Sequence, residues 1–300
     1  MAFDVSALLA LGAAFSWMLA ALFSHRPATE LGSLHFNRVR MIAAVVIMLA
    51  LLLLTGRPMD ISGSHLWLIA LSSVTGVVIG DFFLFAAVRR IGPRRTNVLY
   101  ATNAVFAAML GWIILGETLT SMTGLAILCG FSGVVLAVIY GKRRDLQHKW
   151  ESVTPPLWIG VALALVAALF QAIGVLTVRP VMAEGADPVA VGLARVAIAA
   201  VIFWATFPFD HSMKGKPIFP RGRTMLLVIL NGLFGLGVGV ALLLEALENG
   251  TVAMVTILSS TTPVLILPFI WAQTKRAPAP GAWAGAALVV LCTWLLVFQS

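Results

Sequence analysis

Charge is what this sequence has least of. Of its 300 residues, 11% are Asp, Glu, Lys or Arg, while 60% are hydrophobic. Soluble domains carry about 25% charged residues, so so poor a share excludes an ordinary soluble fold and leaves apolar surface that must face lipid. Cysteine is nearly absent as well. Cys129 and Cys292 both lie in apolar runs and read as small core residues, silent about redox compartment. Histidine is sparse: His25, His35, His65, His148 and His211 are scattered, without a paired ligand spacing such as H-E-x-x-H. No low-complexity segment occurs, and neither long connector (GKRRDLQHKWESVTPP, PFDHSMKGKPIFPRGR) has room for a soluble domain. The opening MAFDVSALLALGAAFSWMLAALF has Asp4 but no early Lys or Arg, which predicts a first membrane span rather than a signal peptide.

What is present is a series of long apolar runs. A bilayer core about 30 Å thick needs about 20 apolar residues per helix. Ten runs qualify, near 5–23, 36–54, 66–88, 96–115, 121–140, 156–177, 189–207, 224–247, 250–271 and 279–298. Short connectors with turn formers separate them, among them IGPRR and GETLTS. The net charge of +8 would suit a nucleic-acid partner, but the basic residues fall between the apolar runs, as in a membrane protein, so no nucleic acid is expected. Fifteen Lys and Arg lie in odd-numbered loops and two, Arg57 and Arg179, in even-numbered ones. The positive-inside rule then places the odd loops in the cytoplasm and both termini outside it.

The chain also repeats itself. At a separation of 159 residues, Gly76, Gly80, Leu84, Ala87, Thr102 and Trp112 meet Gly235, Gly239, Leu243, Ala246, Thr261 and Trp271. Asn97, Tyr100 and Asn103 fall on Thr256, Ser259 and Thr262, so a polar stripe at helical spacing occurs twice within apolar sequence. Five spans per copy is an odd number, which sends the second copy into the membrane from the opposite side. The expectation is an all-α membrane protein of two inverted five-helix repeats, residues 1–141 and 155–300, an architecture that many transporters use to alternate access around a midplane site.

A polar helix face in lipid must turn toward other helices or a water-filled cavity. The expected cavity lining is Trp17, Asn97, Tyr100, Asn103, Gln171, Ser259 and Thr262; Trp17 and Gln171 sit at similar depths in the first helix of each repeat. The alternative is simple interhelical hydrogen bonding. Pro263 and Pro268 are expected to kink the ninth span. Asp81 lies about seven residues inside the third span, roughly 10 Å deep at the helical rise. Arg40, or Arg38, is its expected partner, because both enter from the same membrane face. A carboxylate left unpaired at such depth takes up a proton, and a neighbouring guanidinium keeps it charged. This set is the expected coupling group, with protons as the candidate ion. Arg195 and Glu245 form a weaker echo in the second repeat. Trp112 and Trp271, near helix ends, read as interfacial anchors.

These features resemble the drug/metabolite transporter superfamily, in its ten-helix EamA-type branch. Residues 103–136 look like the family's fourth helix, acidic turn and fifth helix, with Glu117, Gly124 and Gly130 at matching positions. Residues 262–291 look like the second copy, with Pro263 at the family proline. Ala104 replaces that proline in the first copy, and Lys275–Arg276 stand where a second glutamate would be, so Glu117 reads as a turn and capping residue. The resemblance implies a secondary transporter of small metabolites such as amino acids, by export or uptake; export is the expected direction, with no cofactor and no metal. It also implies cytoplasmic termini, against the loop charges. A nucleotide-sugar or sugar-phosphate carrier is the alternative, although it needs several cations at depth. A membrane enzyme would need clustered catalytic groups, and Asp210–His211 is the only adjacent acid–histidine pair, read as a solvated loop. A scaffold would leave the double polar stripe without a purpose.

Overall fold

The computed structural model describes residues 5–59, 61–116, 120–140, 156–210, 218–262, 264, 265, 268, 271 and 280–297. Among these the regular structure is entirely helical. The helices are α1 (Val5–Leu31), α2 (Ser33–Thr55), α3 (Leu66–Ser72), α4 (Gly80–Tyr100), α5 (Asn103–Leu115), α6 (Ser121–Tyr140), α7 (Leu157–Ala183), α8 (Pro188–Ala205), α9 (Arg223–Asn231), α10 (Gly239–Asn249), α11 (Val252–Ser259) and α12 (Pro280–Val297). Two π-helical turns, Ser73–Ile79 and Gly232–Val238, join α3 to α4 and α9 to α10 without a break.

Local chemistry sets the ends. Gly32, at φ 81°, lets the chain pass from α1 into α2 with one intervening residue, a backbone conformation costly for any side chain. Asp187 caps α8 by accepting from the Val189 and Ala190 amides, and Pro188 follows at the first helical position, where its missing N–H costs nothing. Thr251 caps α11 through the Met254 amide. Helices α1 and α7 are each 27 residues, about 40 Å at the helical rise, and each carries a proline near its C-terminal end.

Polarity is distributed as lipid requires. Arg38, Asn37 and His35 are buried, while Leu53, Leu54, Trp158 and Val201 are 69–87% exposed. Water would favour the opposite arrangement, so the protein is an integral membrane protein. Without a hydrophobic drive between helices in lipid, close packing must hold them, and small residues supply it. Ala7, Ala10 and Ala13 on α1 and Ala164, Ala167 and Ala168 on α7 have no exposed surface. Among the described residues, six stretches are long and apolar enough to span a bilayer: Val5–Ser24, Ser33–Thr55, Gly63–Ile91, Leu157–Ala183, Pro188–Phe209 and Arg223–Asn249. Asn103–Leu115 and Gly124–Gly133 are apolar but shorter.

Two expectations need correction. IGPRR is not a turn: α4 runs through it to Tyr100. The expected spans 96–115 and 250–271 are not continuous, since Ala101–Thr102 and Ser260–Thr261 are non-helical turns. In each, the threonine Oγ1 bonds a carbonyl three residues back, Leu99 or Leu258, competing with the helical ladder. The second interruption precedes Pro263, which lies outside the described residues, as do Glu117 and Lys275–Arg276.

The packing exchanges partners between the two halves. Helix α1 packs on α9, the second π-turn and α10; helix α7 packs on α3, the first π-turn and α4. Helix α2 lies against α8, α5 against α11, and α6 against α12. The two π-turns stand 159 residues apart, and so do the two interruptions, the same separation as the sequence echo.

Candidate functional site

Each π-turn shifts the backbone hydrogen-bond register, so that Gly80 N–H reaches Thr75 O and Gly239 N–H reaches Phe234 O, five residues back. Such turns free carbonyls and are frequent at functional positions. Ser16 Oγ donates to Phe234 O at 2.7 Å, and Trp17 Nε1 donates to Gly235 O at 2.8 Å. Trp17 sits so close that a Cβ on Gly239 would meet its Nε1 at 2.5 Å. The other π-turn is approached by Gln171, whose Oε1 lies 3.7 Å from where a Gly80 Cβ would be. Beside it the two halves touch at backbone level, since a Cβ on Gly174 would fall 2.5 Å from Gly76 Cα. Ser72 Oγ donates to Gly174 O at the same crossing, at 2.6 Å. The repeated Gly-x-x-x-Gly therefore marks where the first helix of each half crosses the π-turn of the other.

The interruptions meet as well. Ser260 Oγ donates to Asn103 Oδ1 at 2.8 Å. Thr262 Oγ1 donates to Ala14 O at 3.1 Å, tying the second interruption to α1. Ser259 is buried and its hydroxyl bonds its own helix at Thr256 O. Tyr100 is half-buried at the end of α4. The Asn97 side chain lies outside the described ones; its backbone is in α4.

Below the first π-turn, Arg40 Nη2 donates to Asp81 Oδ2. The same nitrogen donates to Asn37 Oδ1 at 2.8 Å, and Nη1 reaches Asn231 Oδ1 at 3.5 Å. The guanidinium carbon lies 4.8 Å from the Phe85 ring centroid and 5.5 Å from that of Phe36. Arg40 therefore links α2, α4 and α9 in one polar cluster enclosed by aromatic faces, which attract a desolvated cation.

Arg38 does not serve Asp81. Its Nη1 donates to Asp210 Oδ2 at 2.6 Å, Nη2 to Thr206 Oγ1 and Nε to Phe203 O, a fully used guanidinium with no exposed side chain. Asp210 is accordingly an anchored partner, 12% exposed, rather than a solvated loop residue; His211 lies outside the described residues. Glu245 does not answer Arg195 either. It pairs with Arg57 at 3.5 Å, and Arg57 also reaches Asp187. Trp112 and Trp271 are about half exposed, as side chains turned to lipid would be.

Sequence reasoning missed Asp210, Asn37, Asn231 and both π-turns. Asn231 was visible as a polar residue inside an apolar span, and the Gly pairs lay on the π-turns. Asp210 stands 172 residues from Arg38, with no signal between them. Among the described residues no group of three or more His, Cys, Asp or Glu could hold a metal ion.

Comparison with known proteins follows this geometry. The EamA-like transporter family model matches residues 5–139 and 158–298. A WAT1-related chloroplast protein of Arabidopsis thaliana is 22% identical over 95% of this chain and 68% of its own length. An uncharacterized transporter of Synechocystis is 21% identical over 75% of the chain, and one of Acidianus ambivalens 26% over 58%. The matches span 63% and 62% of those two proteins. A solved crystal structure with 19% identity superposes at a TM-score of 0.76, covering 99% of this chain and 98% of its own, which shows the fold. Crossed helices with paired interruptions, apolar exteriors and a match over both halves lead to one conclusion: the chain belongs to the EamA-like transporter family, within the drug/metabolite transporter superfamily.

Proposed function

We propose that this membrane transporter is a secondary exporter of small metabolites, amino acids or related compounds, working by alternating access between two inverted five-helix repeats, residues 1–141 and 155–300. Ten spans would lie in a bacterial plasma membrane with both termini non-cytoplasmic. The observation that carries the reading is the meeting of two helix interruptions, 159 residues apart, through Asn103 and Ser260. Interrupted helices supply unpaired backbone groups near the midplane, where transporters of inverted-repeat design bind their cargo. Trp17, Asn97, Tyr100, Asn103, Gln171, Ser259 and Thr262 would line the pathway. Asp81, held by Arg40, would couple transport to protons by making and breaking that pair.

Proteoliposomes loaded with a mixture of amino acids and organic acids test this. At least one compound should leave saturably faster than from protein-free vesicles. The Asn103→Leu variant should lose that flux while remaining folded, because Ser260 then loses its partner and the turn its polar face. Flux equal to that of protein-free vesicles for every compound, or an unchanged Asn103→Leu rate, would end the reading.

A further inference from the structure

Arg195 sits inside α8 with 2% of its surface exposed. Its backbone carbonyl accepts from Ser73 Oγ at 2.6 Å, which pins α8 to the first π-turn. Its guanidinium is treated differently from those of the neighbouring arginines. Arg38 spends three nitrogens on Asp210, Thr206 and Phe203 O, and Arg40 holds Asp81. The buried Arg195 Nε, like that of Arg40, has no hydrogen-bond partner among the described residues, but unlike Arg38 and Arg40, Arg195 takes part in none of the ion pairs among them. Asp81 is paired with Arg40 instead.

Two polar heads converge beside this group. Arg195 Nη2 lies 3.2 Å, and Gln171 Oε1 3.9 Å, from the one point where a Cβ on Gly76 would stand. Gly174 Cα lies 3.2 Å from the same point, so the Arg195 guanidinium reaches the crossing of the two halves, and the π-turn holds the backbone there. Charge arithmetic then identifies what is missing. Arg40, Arg195 and Asp81 sum to one surplus positive charge, which cannot be relieved by proton loss because guanidinium stays protonated. An isolated buried charge is among the costliest groups a membrane interior can hold, and partners or function explain those that persist.

We propose that Arg195 is the receptor for a single carboxylate on the transported metabolite. This rests on the reading that cargo passes between the two halves. A carboxylate matches the planar guanidinium fork and cancels one charge. A phosphate dianion would overshoot to a net negative site, so this chemistry separates the cargo from phosphorylated sugars.

The test uses the full-length protein purified in detergent and its ligand-dependent melting temperature, since a ligand of the folded state raises stability. The probes are isovalerate, lactate and phenylacetate, each against its uncharged amide, together with inorganic phosphate. For at least one pair the acid should half-saturate at about a tenfold lower concentration than the amide, the size expected of a charge-assisted hydrogen bond. In Arg195→Gln, which keeps donors and loses charge, the two curves should coincide. Equal acid and amide responses in the wild type, a preference that survives Arg195→Gln, or a stronger response to phosphate each overturns the proposal. The wild-type comparison decides even where the variant does not fold. If acid and amide saturate at equal concentrations and Asn103→Leu abolishes both responses, Arg195 loses its role and the pathway stands. If no probe saturates and Asn103→Leu changes no flux, both fall.

Discussion

Asp81 is held by a single guanidinium, with 15% of its side chain exposed, between a π-turn and the body of α4. That geometry allows a static tie between helices or a switch, and Asp81→Asn separates them because size and hydrogen bonding are kept while charge is lost. A coupling residue predicts a folded variant that binds cargo but loses pH-dependent or uphill flux. Normal turnover by the surviving, destabilised protein would show a static tie. Glu30 offers a pH prediction outside the membrane. The Thr224 hydroxyl, then Arg26, hold its carboxyl below the ordinary value of 4.5. Because it is more acidic folded than unfolded, these bonds stabilise the fold above the unfolded value, and the stabilisation fades as pH falls through the lower folded one. Thr224→Val should move the Glu30 titration upward, toward 4.5, read by carboxylate NMR, and start acid unfolding at a higher pH. At this scale the sequence was informative where depth decides. Asp81 and Arg40 enter from one membrane face within 41 residues, and they pair. It was silent where the partner arrives from the other half, as with Arg38 and Asp210.

The elements that matter most are the places where helices depart from α geometry. Gly174 crosses Gly76 with no room for a side chain: a Cβ would lie 2.5 Å from Gly76 Cα and 2.8 Å from its nitrogen. Backbone cannot yield as a flexible side chain does, so Gly174→Ala should destabilise by about 2 kcal/mol, seen as a lower melting temperature. Gly124→Ala, which meets nothing within 4 Å, is the neutral control. Equal effects would show that the crossing is loose. The long spans were readable because lipid demands a near-continuous apolar face. The second interruption was partly readable, since Pro263 two residues on marks the ninth span for a break. The first was not, because Ala101–Thr102 has no proline or glycine beside it and threonine back-bonds such as that to Leu99 occur in unbroken helices too. The π-turns were equally hidden, since Gly-x-x-x-Gly reads first as a packing motif.

At the scale of the molecule, each half supplies the partner that the other lacks: α1 for α9 and α10, α7 for α3 and α4, α5 for α11. Orientation in the bilayer follows from charge. Fifteen basic residues in odd loops against two in even ones predict that a reporter fused after Ser300 is non-cytoplasmic while one inserted at Arg143 is cytoplasmic. A cytoplasmic signal at Ser300 would reverse the topology and leave the fold untouched. Under the proposed alternating access, this exchange of partners would let one half rock against the other, opening the pathway first to one side and then to the other. Ser259 is the sharpest probe of that motion. It is 3% exposed, beside the second interruption, and among the described residues its hydroxyl bonds only its own helix, so a cysteine fits there without breaking a tie between described helices. The decisive measurement is the labelling of Ser259→Cys, in a background lacking Cys129 and Cys292, by a membrane-impermeant thiol reagent applied to one face of the membrane at a time. Alternating access predicts slow labelling from both faces, with cargo or a pH gradient shifting the ratio between them. Labelling from one face only, or from neither, would contradict it.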